Sequence, residues 1–247
     1  MFKHLMACLT ASLICSSALA ADPAPLTGNL MLASDYKFRG FTQTRYKPAL
    51  QGGFDFAHGS GFYLGNWNSN VEQSLYDGAS LEMDVYGGFK KAVGAITYDV
   101  GVIHYAYPGS GLNITKIDNT EAYVGASMGP VSAKLYYALT DYFDTKTLAA
   151  RNGLSTDGTT YLDVTATVDL GGGWSGTAHA GVLSMKNAAS NGYASSVTDY
   201  KLGISRDISG WVLGAAYVTT SRKDYFLTGD LKPAGDPRLL VSLSKTF

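Results

Sequence analysis

Cysteine is almost absent from this chain: two in 247 residues, Cys8 and Cys15, both within the first twenty positions. Once that stretch is removed, neither a disulfide nor thiol chemistry is open to the protein in an oxidising compartment. Long apolar runs are missing beyond the same stretch. A transmembrane helix needs about twenty such residues, so any membrane crossing has to be built from strands. Histidine is scarce as well. His58, His104 and His179 are the three beyond the first twenty residues, and their scatter offers no ligand cluster at metal-site spacing. No phosphate-cradling glycine loop and no concentrated basic ladder occurs, and no cofactor is expected. Charged residues make up 16% of the chain, below the usual quarter or so. Beyond residue 20, 18 Lys and Arg stand against 20 Asp and Glu, a formal balance of −2, which leaves no basic footprint for nucleic acid.

What is present begins with a secretory leader over residues 1–20. Lys3 supplies the positive end, residues 5–19 the apolar stretch, and Ala18-Leu19-Ala20 a small-x-small cleavage site. The mature chain is expected to span 21–247. Within it, apolar and polar side chains alternate. Leu162, Val164, Ala166, Val168 and Leu170 fall opposite Tyr161, Asp163, Thr165, Thr167 and Asp169. Leu81, Met83, Val85 and Phe89 fall opposite Glu82, Asp84, Tyr86 and Lys90. Period two is the signature of a strand with unlike faces, and no segment repeats at helical spacing. Lipid on one side and a polar lumen on the other is the setting that asks for such faces in every strand.

The segments read as strands are 28–39, 48–57, 61–70, 80–90, 94–107, 119–128, 131–141, 159–170, 174–184, 197–207, 211–220 and 238–247. At about nineteen residues per strand and connection, the mature length suits a single antiparallel transmembrane β-barrel of about twelve strands, an even number as bacterial single-chain barrels require. Every second link is tight: 58–60, 91–93, 129–130, 171–173 and 208–210 carry Gly or Pro, or both, except Lys91-Ala92-Val93. The others are longer and more polar, the largest being 142–158 and 221–237. Short periplasmic turns with long outer loops put both termini in the periplasm of a Gram-negative cell and the barrel in its outer membrane. A soluble sandwich has no reason to alternate link lengths in this way. Tyr36, Phe38, Trp67, Tyr105, Tyr107, Tyr137, Trp174, Trp211 and Tyr217 lie mostly near segment ends and are read as interfacial girdles.

Ser34-Asp35-Tyr36-Lys37-Phe38-Arg39-Gly40, Gln43-Thr44, Pro48-Ala49-Leu50-Gln51-Gly52-Gly53 and Ser60-Gly61-Phe62-Tyr63, followed by Trp67, Ser69 and Asn70, resemble the opening of the TorF-like porins. That group was formerly an uncharacterised conserved bacterial family. Tyr161-Leu162-Asp163 and Asp199-Tyr200-Lys201-Leu202-Gly203 are similar too, and the resemblance covers nearly the whole mature chain. It implies an outer-membrane barrel with a channel role.

If the apolar faces meet lipid, Asp35, Lys37, Arg39, Asp55, Glu82, Asp84, Asp99, Glu121, Lys134, Asp163, His179 and Lys201 line the pore, with Asn66, Asn68 and Asp199 among their neighbours. The phase of 61–70 is ambiguous, because both its faces carry aromatics. Acids outnumber bases, and two readings stay open. The acids either pair with Lys37, Arg39, Lys134 and Lys201 to fill a small lumen, or form a cation-favouring constriction. Twelve strands about 4.8 Å apart and tilted about 40° close at a backbone radius of roughly 12 Å, which leaves a passage of about 5 Å radius inside the side chains. The function expected is therefore a non-enzymatic channel for passive diffusion of small hydrophilic solutes, weakly cation-preferring. The rivals are a plugged structural barrel and an outer-rim hydrolase, which would need a Ser–His pair and an orienting group within hydrogen-bond reach. Asp35, Tyr36, Phe38 and Arg39 crowd one strand end and are read as part of the barrel-closing seam. Expected partners are outer-membrane lipid and lipopolysaccharide, small hydrophilic solutes, and the barrel-assembly machinery through the aromatic Phe247 end.

Overall fold

Strands with one apolar and one polar face satisfy every backbone group only when the sheet closes on itself. In a computed structural model, which describes residues 26–145 and 153–247, this closure is complete. The leader 1–20 with Cys8 and Cys15, and the middle of the 142–158 link, lie outside the described residues. The strands are β1 (Leu26–Ala33), β2 (Lys37–Phe38), β3 (Phe41–Thr42), β4 (Ala49–Ala57), β5 (Phe62–Asn70), β6 (Leu81–Val93) and β7 (Ile96–Ala106). They continue as β8 (Asn119–Met128), β9 (Val131–Ala138), β10 (Thr160–Gly171), β11 (Trp174–Ser184), β12 (Ser196–Ile208), β13 (Trp211–Thr220) and β14 (Arg238–Thr246). Twelve of these, all but the short β2 and β3, form a closed barrel in the order β1-β14-β13-β12-β11-β10-β9-β8-β7-β6-β5-β4. All neighbours are antiparallel, each pair joined in sequence except at the seam. No helix among the described residues is long and apolar enough to cross a membrane.

Parity sets the wall. Leu30, Leu32, Leu50, Phe54, Val100, Val124, Leu202 and Leu239 point outward and are exposed, whereas Glu82, Asp84, Asp99, Glu121, Tyr136 and Tyr161 fall on the opposite parity and are buried. An outer apolar surface around a polar interior inverts the usual soluble arrangement and suits hydrocarbon outside.

The seam pairs Asn29 with Thr246 through to Ala33 with Ser242. Phe247 extends it, because Gly28 N–H donates to its carbonyl at 2.7 Å and its own N–H donates back to Gly28 at 2.9 Å. The crowded residues 35–39 take no part in this closure. β1 ends at Ala33, not at 39, and 34–48 forms a long link that turns into the barrel mouth with β2 and β3 inside it. The physical cause is local. Asp35 Oδ1 accepts hydrogen bonds from the hydroxyls of Thr42 (2.6 Å) and Thr44 (2.8 Å), and the Tyr36 N–H donates to Thr44 Oγ1 at 3.2 Å. Short polar side chains that capture nearby groups in this way compete with the sheet ladder.

Two further expectations are corrected by the register. The turn read at 91–93 lies at 94–95, since Val93 pairs with Ile96. Gly94 adopts φ +61°, a left-handed position that Ala92 and Val93 disfavour. In β5 the inward set is Tyr63, Gly65, Trp67 and Ser69, so Asn66 and Asn68 face outward. Their amides are satisfied on that wall: Asn66 Oδ1 accepts from the Phe54 N–H at 3.0 Å and Asn68 Nδ2 donates to the Gly52 carbonyl at 3.1 Å. The girdle reading is likewise split. Tyr137, Trp174, Trp211 and Tyr217 are exposed on the outer wall, but Tyr36, Trp67, Tyr105 and Tyr107 are buried and Phe38 packs against the same interior cluster.

Candidate pore and its inward hairpin

The hairpin β2–β3 pairs Lys37 with Thr42 and Phe38 with Phe41. Its turn residues Arg39 and Gly40 both have positive φ, 48° and 84°, the backbone that a tight two-residue hairpin requires. The turn delivers Arg39 to the far wall. Arg39 Nη1 donates to Glu121 Oε1 at 2.9 Å and Nη2 to Oε2 at 2.6 Å, with the two side chains only 4% and 1% exposed. Nη1 also donates to the Tyr142 hydroxyl at 3.1 Å. The guanidinium lies 4.2 Å from the Tyr161 ring centre and 4.7 Å from that of Phe38. A two-pronged, ring-stacked arginine uses the planar fork that lysine lacks. Removing either partner of so buried a pair alone is worth about 3–5 kcal/mol of destabilisation.

The link is held at its base as well. Lys37 Nζ donates to the carbonyls of Asp236 (2.8 Å) and Gly40 (3.2 Å). Burial pulls its ammonium down to about 8, opposed by the Asp35 and Asp236 carboxylates. On the outer side Arg45 contacts Asp230 at 2.9 Å, and Lys47 contacts Glu72 at 2.6 Å. The bond from Arg45, aided by the Thr228 hydroxyl, holds Asp230 well below the usual carboxylate range.

Of the residues read as pore-lining, Asp35, Lys37 and Arg39 therefore reach the lumen from this link and not from a strand. The others occupy inward strand positions and divide into separate groups. On β7 and β9, Lys134 Nζ donates to Asp99 Oδ2 at 2.8 Å, while the Tyr63 hydroxyl donates to Asp99 Oδ1 at 2.6 Å. On β10 to β12, His179 Nε2 lies 2.8 Å from Asp199 Oδ2 and its Nδ1 3.6 Å from Asp163 Oδ1. Lys201 is the register partner of His179. Asp55 accepts from Asn29 Nδ2 at 2.8 Å and from the Tyr86 hydroxyl.

Glu82 and Asp84 on β6 stand apart from these pairs. Glu82 accepts from the Tyr36 hydroxyl at 2.6 Å and from the Tyr107 hydroxyl. Asp84 is 6% exposed, and its Oδ1 is buried without a hydrogen-bond partner. Among the described residues neither forms an ion pair with Lys or Arg; Arg39 and Lys134 are paired with Glu121 and Asp99 instead.

Sequence reasoning read Tyr36 and Tyr107 as girdle aromatics and did not single out Tyr142 or Tyr161 as site residues, yet the hydroxyls or rings of all four hold charged groups. Tyr161 was legible from its inward parity. Tyr142, in a link, carried no such signal, and Tyr36 was read inside a strand that ends before it.

The hairpin tip separates two spaces. A cavity of about 110 Å³ on the β10–β14 and β1 side is lined by Arg39, Asp163, His179, Lys201 and Ser242 among others. A larger one of about 540 Å³ beneath the longer links is lined by Arg39, Tyr107, Tyr142, Phe143 and Phe226 among others. The remaining histidines lie elsewhere: His104 Nδ1 meets Thr120 Oγ1 at 2.9 Å in an exposed pair, and His58 meets Ser60 at 2.7 Å in the exposed 58–61 turn.

Residues 17–247 match the family described as "Bacterial protein of unknown function (Gcw_chp)". The chain belongs to that family. No curated protein matches the sequence. Among solved structures, this Gcw_chp member is similar to the NanC porin in a rhombohedral crystal form, with TM-score 0.59 and 9% identity over 90% of this chain and 98% of that one. It is also similar to the KdgM porin, with TM-score 0.55 and 9% identity over 90% and 99%. A further KdgM porin, in complex with disordered oligogalacturonate, gives TM-score 0.51 at 9% identity over 90% and 98%. At such identities the likeness establishes a shared fold, that of outer-membrane porins.

Proposed function

We propose that this protein is a narrow outer-membrane channel for passive diffusion of small hydrophilic solutes, with a weak preference for cations. The observation that carries this reading is the excess of acidic over basic side chains among the buried, inward-facing residues of the barrel. Arg39 and Lys134 are committed to Glu121 and Asp99, while among the described residues Asp84 and Glu82 form no ion pair. A carboxylate in a confined, poorly screened space acts strongly on a passing ion. The same field disfavours a polyanion such as the oligogalacturonate that accompanies one of the KdgM structures. The resemblance to TorF-like porins supports a channel role, and the alternation of short and long links supports periplasmic termini. The exposed apolar belt suits outer-membrane lipid and lipopolysaccharide. The Phe247 end of the seam suits recognition by the assembly machinery.

The inward link favours a second reading, a plugged structural barrel, because it occupies the mouth. Swelling of liposomes containing the purified protein distinguishes the two. Under the channel reading, a monosaccharide enters and causes rapid swelling, whereas a tetrasaccharide enters slowly or not at all. Equal resistance to both sugars would favour the plug.

A further inference from the structure

We propose that Arg39 is the selectivity-determining residue of this channel, an inference that rests on the channel reading and assigns its constriction to the hairpin tip. The argument begins with where the side chain is. Arg39 leaves the link between β1 and β4, yet its partners are Glu121 on β8 and the Tyr161 ring on β10, near the opposite side of the closed sheet. A side chain that crosses the lumen and borders both cavities stands at their junction.

Charge supplies the second half. The guanidinium is a permanent cation placed in a lumen whose other charges are mostly acids. Bound to Glu121, it cancels one carboxylate of an inward face on which acids outnumber bases. Its removal therefore does two things together: it widens the junction, and it releases the Glu121 charge into the path. Arg39 is consequently the group that keeps an acid-rich pore only weakly cation-preferring.

The two effects are separable. In Arg39→Gln both act, so conductance rises and the cation-to-anion permeability ratio increases by about threefold or more. In the double variant Arg39→Met/Glu121→Gln the junction opens without a released charge, so conductance rises while the ratio stays close to wild type. The double variant also avoids leaving a buried carboxylate uncompensated, so it stays folded even if Arg39→Gln does not. Conductance and reversal potential across a potassium chloride gradient in planar bilayers are the readouts, on protein whose migration on a denaturing gel still differs before and after boiling. If the wild type conducts and both variants keep its conductance and permeability ratio, Arg39 does not set the selectivity. If the folded wild type and both variants are all silent, the channel reading itself fails and this assignment with it.

Discussion

Replacing Gly53 with valine is expected to abolish the folded barrel. Gly53 lies on β4 at an inward position opposite Trp67. A Cβ there would fall 1.9 Å from the Asn66 carbonyl oxygen and 3.0 Å from the Trp67 Cα. Both are backbone atoms of the adjacent strand, so no side chain can swing aside and the β4–β5 ladder has to separate. Substitutions that force such a separation are at the severe end of measured effects, more than about 4 kcal/mol. The readout is mobility on a denaturing gel before and after boiling, since a closed barrel with all its backbone bonds satisfied resists detergent. Gly59 is the matched control, because a Cβ there meets nothing within 4 Å. Gly59→Ala should keep the folded band. A native heat shift in Gly53→Val would mean that β4 and β5 are not packed in this register.

The double substitution Glu82→Gln/Asp84→Asn is expected to move ion selectivity toward anions, on the order of threefold in permeability ratio, while the barrel persists. Persistence follows from the partners. Amides in place of acids would strand a buried base only if Lys or Arg were paired to them, and among the described residues no Lys or Arg forms an ion pair with either: Arg39 and Lys134 contact Glu121 and Asp99, and Lys37 the carbonyls of Gly40 and Asp236. Glu82→Gln forfeits part of its bonding to the Tyr36 and Tyr107 hydroxyls, worth about 1 kcal/mol. Asp84→Asn relieves a carboxylate whose Oδ1 has no hydrogen-bond partner. Loss of the heat-shifted band in the double variant would show that these acids hold the barrel together.

The barrel was legible in the sequence because its constraint is periodic. Leu162 against Asp163, or Val85 against Asp84, declares a face at every step, and a closed sheet imposes the same demand on all twelve spanning segments. The edges of that reading failed where the chain stops obeying the period. Ser34 to Gly40 continues an alternation of sorts. The spacing of Asp35, Thr42 and Thr44, which bends the link inward through hydrogen bonds, becomes meaningful only once the hairpin is formed. In β5 the sequence puts Asn66 and Asn68 against Trp67, and hydropathy alone favours the amides inside. The outer wall accepts them because both bond to atoms of β4. At the candidate site, parity placed Glu82, Asp84, Asp99, Glu121, Lys134, Asp163, His179 and Lys201 on the inward face, but their partners come from register. Which acid meets which base depends on strand offsets and on a link that reaches across the lumen, and neither leaves a trace in local sequence.

The central claim is that solutes and ions pass through this barrel, and single-channel recording of the purified wild-type protein in a planar bilayer tests it most directly. The account predicts discrete, small conductance steps in concentrated potassium chloride, with a reversal potential in a salt gradient displaced modestly toward the cation value. Folded, heat-shifting protein that produces no steps, or steps with a clear anion preference, would contradict it.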